Sequence, residues 1–217
     1  MRRILTGLVI LGGLLLLSAC GSGRPVAPVQ VVEHVRYHDP SPPSLTLVTS
    51  IRTATGVGAH SALIINASQR VIFDPAGSFQ ASINGKPAAP QRGDVIYGVT
   101  PEVLQAYLTF QSGKGFHAVT MTLPVSPEVA EDALQKAENH GWVSQAFCAD
   151  ATSSLLASLP GLNGQVHTSL FPRKFMRGFA KLPGVTAITT YQDGVVIPNG
   201  TANNPDEPRS NAAYSDF

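Results

Sequence analysis

Residues 60–74 have the sequence HSALIINASQRVIFD, in which two apolar runs rich in β-branched residues flank a short polar segment. This pattern is typical of a β-hairpin, and we expect its turn to be centred on Ala67 and its neighbours. His60 and Asp74 are equidistant from that centre, which predicts near cross-strand partners on one face of the sheet, with Cβ atoms about 5 Å apart. A carboxylate in that position would orient the His60 imidazole and fix its tautomer.

The rest of the chain predicts an α+β domain around this hairpin. Runs of β-branched and aromatic residues indicate further strands, and capping residues indicate helices. We expect an antiparallel β-meander with helices packed on it. The strand candidates are residues 45–52, 60–65, 70–74, 94–98, 117–123 and 185–191, and the helix candidates begin at Pro101 (through Phe110), at Pro127 (closed by Gly141), at about Phe147 (to Ser158) and, for a short fourth helix, after Pro172.

The N-terminal residues have the layout of a cleaved export signal. Arg2 and Arg3 form a short positive region, residues 4–17 are uncharged and mostly apolar, and small residues follow. An uncleaved membrane anchor is the alternative reading of this segment. We expect cleavage because the apolar run is shorter than the roughly 20 residues that cross a bilayer.

The tetrapeptide Leu17-Ser18-Ala19-Cys20 resembles the lipobox of bacterial lipoproteins. This resemblance implies that the mature protein starts at Cys20 and that this cysteine carries lipid. Two or more acyl chains on one residue give stable membrane anchoring. By resemblance to Gram-negative lipoproteins, Gly21 after the cysteine favours the outer membrane, with the domain facing the periplasm.

Composition predicts one folded domain between two less ordered ends. Loss of the signal peptide removes two arginines, leaving 15 − 2 = 13 basic against 14 acidic side chains. A chain so close to neutral gives no reason to expect a nucleic-acid partner. We therefore predict a signal peptide at 1–19, the lipidated cysteine and a flexible Pro-rich tether at 20–44, the folded domain at 45–197 and a disordered polar tail at 198–217.

Cys148 is the second of two cysteines, and with Cys20 lipidated it has no intramolecular partner in an oxidising compartment. It lies at the predicted start of the third helix, where backbone N–H groups and the helix dipole favour a thiolate. With His60 as base and Asp74 as orienting carboxylate, it would complete the triad of covalent acyl transfer. The alternatives are a small buried apolar Cys148, a surface hydrogen bond at His60 and a turn-starting Asp74 before Pro75.

Short motifs in this chain resemble one enzyme family. Together they are similar to the circularly permuted branch of the NlpC-type papain-like cysteine hydrolases, in which the histidine strand precedes the cysteine helix. The resemblance covers residues 45–191 and implies a papain-like fold with Cys148 as nucleophile, His60 as base and Asp74 as third residue. The motifs are Gly58-Ala59-His60-Ser61-Ala62, the strand end at Asp74, the run from His117 to Phe147-Cys148-Ala149-Asp150, and Phe171-Pro172-Arg173-Lys174-Phe175.

The leading functional hypothesis is a lipid-anchored thiol hydrolase or acyltransferase of the cell envelope. It would act on an amide or ester bond in a peptidoglycan peptide, another peptide or a lipid. The alternatives are a non-catalytic lipoprotein that binds a peptide, glycan or lipid in the same cleft, and a purely structural envelope protein. The histidines lack metal-ligand spacing, so we expect no metal ion and no organic cofactor.

Overall fold

The structure is a computed structural model that describes residues 26–80, 82–83, 86–87, 89–192, 194 and 196–201. The predicted signal peptide at 1–19, the predicted lipidation site Cys20 and residues 202–217 of the predicted tail lie outside the described residues. Within the described part of the chain, no helix is both long enough and apolar enough to cross a bilayer.

The described residues form five helices and ten strands, which are numbered here in chain order. The helices are α1 (Val29–His34), α2 (Pro101–Gln111), α3 (Pro127–Asn139), α4 (Cys148–Ala157) and α5 (Pro172–Phe179). The strands are β1 (Ser44–Arg52), β2 (Gly58–Asn66), β3 (Arg70–Phe73), β4 (Ser82–Ile83), β5 (Lys86–Pro87), β6 (Gln91–Arg92), β7 (Val95–Ile96), β8 (Phe116–Pro124), β9 (Thr186–Tyr191) and β10 (Val196–Thr201).

Eight of these strands form one sheet in the order β10-β9-β8-β1-β2-β3-β7-β6, and β4 and β5 pair separately. All the strand pairs are antiparallel. The predicted α+β class, an antiparallel sheet packed with helices, is therefore confirmed. The longest pairings join β1 to β2 and to β8, so these three strands form the centre of the sheet.

Alternate side chains of the central strands are buried on opposite faces of the sheet. Leu47 and Leu63 belong to a core that also contains residues of α3, α4 and α5, whereas Val48 and Ile64 pack with Tyr107 of α2. Successive side chains of a strand point to opposite faces, which explains why neighbouring residues enter different cores. Helices therefore cover both faces, and the cysteine helix and α2 lie on different sides.

Local capping explains where two of the helices start. The Thr100 side chain accepts a hydrogen bond from the Val103 N–H at 3.4 Å, and Ser126 accepts one from Val129 at 3.4 Å. In both helices a proline follows the cap, at a position where its missing N–H costs nothing. Both starts agree with the sequence prediction.

The prediction of a flexible tether over residues 20–44 is wrong for residues 26–44. The Ala27 N–H donates to the Gln91 carbonyl at 2.9 Å, and Arg70 N–H donates to the Tyr37 carbonyl at 2.8 Å. Val32 of α1 joins the larger core. Val32 is the one valine of α1 that the domain covers, since Val29 and Val31 are 47% and 44% exposed.

The predicted tail at 198–217 also begins later than expected, because residues 198–201 belong to β10. This strand pairs with β9 from Val196 to Thr201. Strand pairing uses backbone groups and needs no apolar side chains, and an edge strand tolerates a proline such as Pro198. The polar composition of this segment therefore did not predict its pairing.

Candidate functional site

The β2–β3 hairpin brings His60 and Asp74 together. Its register pairs Leu63 with Phe73 and Asn66 with Arg70, so the turn is centred one residue later than predicted. His60 is therefore a diagonal rather than a direct partner of Asp74, but both side chains remain on one face, as expected. The His60 Nε2 atom lies 2.7 Å from Asp74 Oδ1. The imidazole bridges the longer diagonal separation of about 7–8 Å between such positions.

Asp74 is completely buried and is held from several sides. Its Oδ1 atom also accepts a hydrogen bond from the Tyr107 hydroxyl at 2.7 Å, and its backbone N–H donates to the Asp94 carbonyl at 2.7 Å. Gly77 lies against the carboxylate, since a Cβ atom at that position would be 1.8 Å from Asp74 Oδ2. Only a glycine allows so close an approach. The carboxylate is thus fixed in position before any ligand is present.

Cys148 is the first residue of α4, and its side chain is only 7% exposed. This helix packs against β2. Strand β3 pairs with β2 only from Leu63 to Asn66, and beyond that pairing α4 approaches the backbone of β2. The backbone N–H groups of Ser61 in β2 and Ala149 in α4 lie near enough to the Cys148 sulfur to lower the pKa of its thiol. The early end of β3 therefore opens the backbone of β2 to the cysteine helix.

The His60 imidazole connects the cysteine and the carboxylate. It hydrogen bonds to Asp74 through Nε2, and it lies close enough to Cys148 for the two groups to shift each other's pKa. Nδ1 is the ring nitrogen left to face the sulfur. The three predicted site residues thus lie together, with the imidazole between the sulfur and the carboxylate. The fourth predicted site residue, Cys20, lies outside the described residues.

The charges of the site favour a thiolate–imidazolium pair. Burial works against the charged form of His60, but its hydrogen bonds to Asp74 and Cys148 and their charges raise its pKa to about 10. Burial likewise works against the Cys148 thiolate, yet the hydrogen bond and charge of His60, followed by the N–H groups of Ser61 and Ala149, lower the pKa of the thiol. The two pKa shifts share this cause, because each group stabilises the charge of the other.

Tyr107 is a site residue that the sequence analysis missed. Burial and then the negative charge of Asp74 raise its pKa well above the usual value, so it donates to the carboxylate as a neutral phenol. The sequence did contain an indication, because Val103, Tyr107 and Gln111 recur every four residues and form the buried side of α2. A tyrosine hydroxyl on a buried helix face needs a hydrogen-bond partner.

Asp94 is a second residue whose role was missed. The pattern Gly93-Asp94 before an apolar strand predicts an ordinary loop, but the Asp94 side chain is buried and its Oδ2 accepts from the Val143 N–H at 2.7 Å. Its carbonyl accepts from Asp74. Asp94 therefore ties the segment that carries the carboxylate to the loop that leads into Cys148.

The start of α5 also packs beside the segment that carries His60. A Cβ atom on Gly58 would lie 2.6 Å from the Arg173 backbone nitrogen, so α5 lies directly against the first residue of β2. The Arg173 guanidinium donates to the Gly56 carbonyl at 2.5 Å. The charge of Arg173 also adds to burial in lowering the pKa of His117. Arg173 thus holds the loop that precedes His60.

No group of three or more His, Cys, Asp or Glu side chains is placed to hold a metal ion in the part of the chain that the structure describes. Comparisons of the chain with protein-family models, with curated proteins and with solved structures find no significant match.

Proposed function

We propose that this protein is a cysteine hydrolase or acyltransferase that acts on an amide or ester bond. The observation that carries the proposal is that Cys148 at the start of α4 lies beside His60, which in turn hydrogen bonds to the buried Asp74. Nucleophile, base and orienting group in this order are what covalent acyl transfer requires. The placement of the histidine strand before the cysteine helix also supports a circularly permuted papain-like fold.

The proposed reaction proceeds in two steps. The Cys148 thiolate attacks the carbonyl carbon, and the carbon–sulfur bond forms as the carbonyl π electrons move onto oxygen. The oxyanion then collapses, the bond to the leaving amine or alcohol breaks, and the His60 imidazolium donates its Nδ1 proton to that group. In the second step, neutral His60 takes a proton from water or an acceptor alcohol or amine, which attacks the thioester and releases the Cys148 thiolate.

Backbone N–H groups support the charges in this sequence. Those of Ser61 and Ala149 lie near the Cys148 sulfur and help to lower the pKa of the thiol. This position suits them to the oxyanion once the thiolate has been consumed in the first step. Val57 and Phe147, which are 58% and 47% exposed, flank the two reacting residues in sequence. We infer that they contact an apolar part of the substrate.

The N-terminal motif supports a cell-envelope location for this activity. With lipid on Cys20, the domain would stay at the membrane, facing the periplasm on the outer membrane of a Gram-negative host. Its substrate would be a peptidoglycan peptide, another peptide or a lipid. The domain would then lie close to the membrane, because only residues 21–25 separate Cys20 from Val26, where the described contacts with the domain begin.

A second candidate function, non-catalytic binding in the same cleft, is favoured by one observation. Cys148 is only 7% exposed, so a substrate carbonyl reaches the sulfur only through a narrow approach. A binding protein would keep the same fold and could hold a peptide, glycan or lipid over the cleft. The two candidates differ in whether the thiol reacts.

The test is the pH dependence of Cys148 alkylation by iodoacetamide. We would use the mature-length chain, residues 20–217 with Cys20→Ser, which keeps every residue that the structure describes. The hydrolase proposal expects an apparent thiol pKa well below the free value of about 8.5, and a return towards that value in His60→Ala. His140→Ala is the matched control, because it removes a histidine outside the triad. A thiol that is unreactive, or indifferent to His60, would support the binding protein instead.

A further inference from the structure

A cavity of about 360 Å³ lies between α5 and the segment that connects it to α4. Residues 166–169 line one side, and α5 with Lys181 just beyond it lines the other. The volume falls within the range of about 300–1,000 Å³ that is typical of small-molecule sites. The catalytic triad does not line this cavity, so the proposed reaction does not account for it.

The charged side chains that line the cavity from α5 and its C-terminal end are all basic. They are Arg173, Lys174, Arg177 and Lys181. Intervals of four residues separate Arg173, Arg177 and Lys181, which places them along one side of the helix. Lys174, Arg177 and Lys181 are exposed. This arrangement concentrates positive charge at the rim, in a chain that is nearly neutral overall.

The floor of the cavity is apolar. Val166, Phe175 and Phe179 line it and are themselves buried in the core. Leu170 and Phe171, immediately before α5, are 52% and 67% exposed. Exposed large apolar side chains next to a cationic rim are unusual on a free surface. They mark a place where a ligand with an apolar part and an anionic part gains binding free energy from both.

We propose that this cavity binds an anionic amphiphile, a molecule with a carboxylate or phosphate head and an apolar chain. The head would receive charge-assisted hydrogen bonds from the exposed Lys174 and Lys181 at the rim. The chain would cover the phenylalanine floor and the exposed Leu170 and Phe171. Binding of such a ligand does not require a reactive thiol. Because Arg173 also holds the loop before His60, the ligand would lie next to the proposed site.

The test titrates octyl phosphate and octanoate into the mature-length chain by calorimetry, below the concentrations at which these probes aggregate. Inorganic phosphate supplies the head alone, and octanol supplies the chain alone. We expect at least one amphiphile to bind about tenfold more tightly than either part, the factor that one charge-assisted hydrogen bond contributes. Lys174→Glu should weaken this binding by a similar factor. Lys114→Glu, at an exposed lysine outside the cavity, should leave it unchanged.

A preference between the two amphiphiles would identify the head as phosphate or carboxylate, and either preference supports the site. The proposal would be overturned if octanol or inorganic phosphate bound as tightly as the amphiphiles. It would also be overturned if Lys174→Glu and Lys114→Glu had equal effects, or if no amphiphile bound. Alkylation of Cys148 in the Lys174→Glu chain separates this result from the proposed reaction, since iodoacetamide carries no charge. An inert thiol with normal amphiphile binding would contradict only the proposed reaction. A reactive thiol without amphiphile binding would contradict only the proposed cavity site.

Discussion

Two ion pairs lie at opposite ends of the β2–β3 hairpin and have different roles. At the turn end, Arg70 contacts Asp39, donates through Nε to the Val99 carbonyl at 2.7 Å, and covers the Tyr37 ring at 4.9 Å. At the other end, His60 contacts Asp74. In each pair one member is buried, Arg70 or Asp74, and the other is partly exposed, Asp39 or His60.

The difference between them lies in the proton. A guanidinium stays charged at any ordinary pH, so the Arg70 pair acts as a fixed joint that fastens the N-terminal segment to the sheet. The hydrogen bond from the Ser41 side chain, opposed by burial, is the main cause that lowers the pKa of Asp39. The imidazole of His60 can release its proton. It faces the Cys148 sulfur, which receives a proton as a thiolate and loses one as a thiol. One end of the hairpin thus carries a permanently charged ion pair, and the other end carries a histidine that can exchange a proton.

Arg70→Ala should produce the largest change in stability. It leaves the partly exposed Asp39 without its cation and the Val99 carbonyl without the Nε donor, and losing a charged hydrogen bond together with a buried carbonyl partner costs about 2–4 kcal/mol. Urea unfolding followed by circular dichroism would measure the loss. The folded variant should keep the parent pH profile of Cys148 alkylation. A loss of less than about 1 kcal/mol, the range of surface pairs, would contradict the fixed-joint interpretation.

Gly77→Ala should disturb the other end of the hairpin. Its new Cβ would lie 1.8 Å from Asp74 Oδ2, so the carboxylate or the backbone must move, at a cost of about 1–3 kcal/mol. The low thiol pKa should be lost as the carboxylate shifts. Gly178→Ala is the matched control, because nothing lies within 4 Å of its Cβ position, and we expect that helical change to stabilise by about 0.5–1 kcal/mol. Equal unfolding midpoints for the two variants would contradict the close packing at Asp74.

Asp74→Asn keeps the shape of the side chain but removes its charge. The pKa of His60 should then fall and that of Cys148 rise, which lowers the alkylation rate at pH 6 by about tenfold for each unit of thiol pKa. Asp150→Asn, which removes a carboxylate from the first turn of α4, should not lower the rate. An unchanged Asp74→Asn profile would show that the carboxylate does not tune the pair.

The same variant should shift the pH dependence of stability. The pKa of His60 is raised to about 10 in the folded protein, so its stabilising contribution is fully present below the unfolded value of about 6.5. It is lost as the pH rises from there towards 10, but the lowered pKa of Cys148 has the opposite effect up to its unfolded value of about 8.5, so the net loss of stability falls between about pH 8.5 and 10. In Asp74→Asn the loss should occur at lower pH, which urea midpoints between pH 6 and pH 10 would detect.

Tyr107→Phe should have the smallest effect. It removes one buried hydrogen bond to Asp74 Oδ1, which is worth about 1–2 kcal/mol. His60 still contacts the same carboxylate, so alkylation at pH 6 should stay close to the parent rate. A large loss of thiol reactivity with little change in unfolding would instead make Tyr107 part of the proton chain.

Local patterns predicted the hairpin, most helix starts and the three residues Cys148, His60 and Asp74 that the structure brings together. Alternation along residues 60–74 placed His60 and Asp74 on one face, although the turn centre differs by one residue. The side-chain period of two makes this prediction robust, because both registers keep the two residues on the same face. Cys148 was found for a similar reason, since a helix start is a local feature of the sequence.

The residues that were missed have partners far away along the chain. Tyr107 reaches Asp74 across 33 positions, and Asp94 reaches Val143 across 49. Composition also misjudged residues 26–44, which lie on the domain through contacts with Gln91 and Arg70. A local pattern contains the period and the caps of an element, but it contains no information about which distant group will satisfy a buried hydroxyl or carbonyl.

The sequence by itself therefore determined the elements of this protein and the residue types of its site, because those depend on alternation, capping and the chemistry of single side chains. Only the tertiary structure decided that the Ser61 N–H would face Cys148, that Gly77 would lie against Asp74 and that basic side chains would surround a cavity beside α5. These features depend on where β3 ends and on how helices pack across the sheet, which the whole chain decides at once by burying its apolar surface.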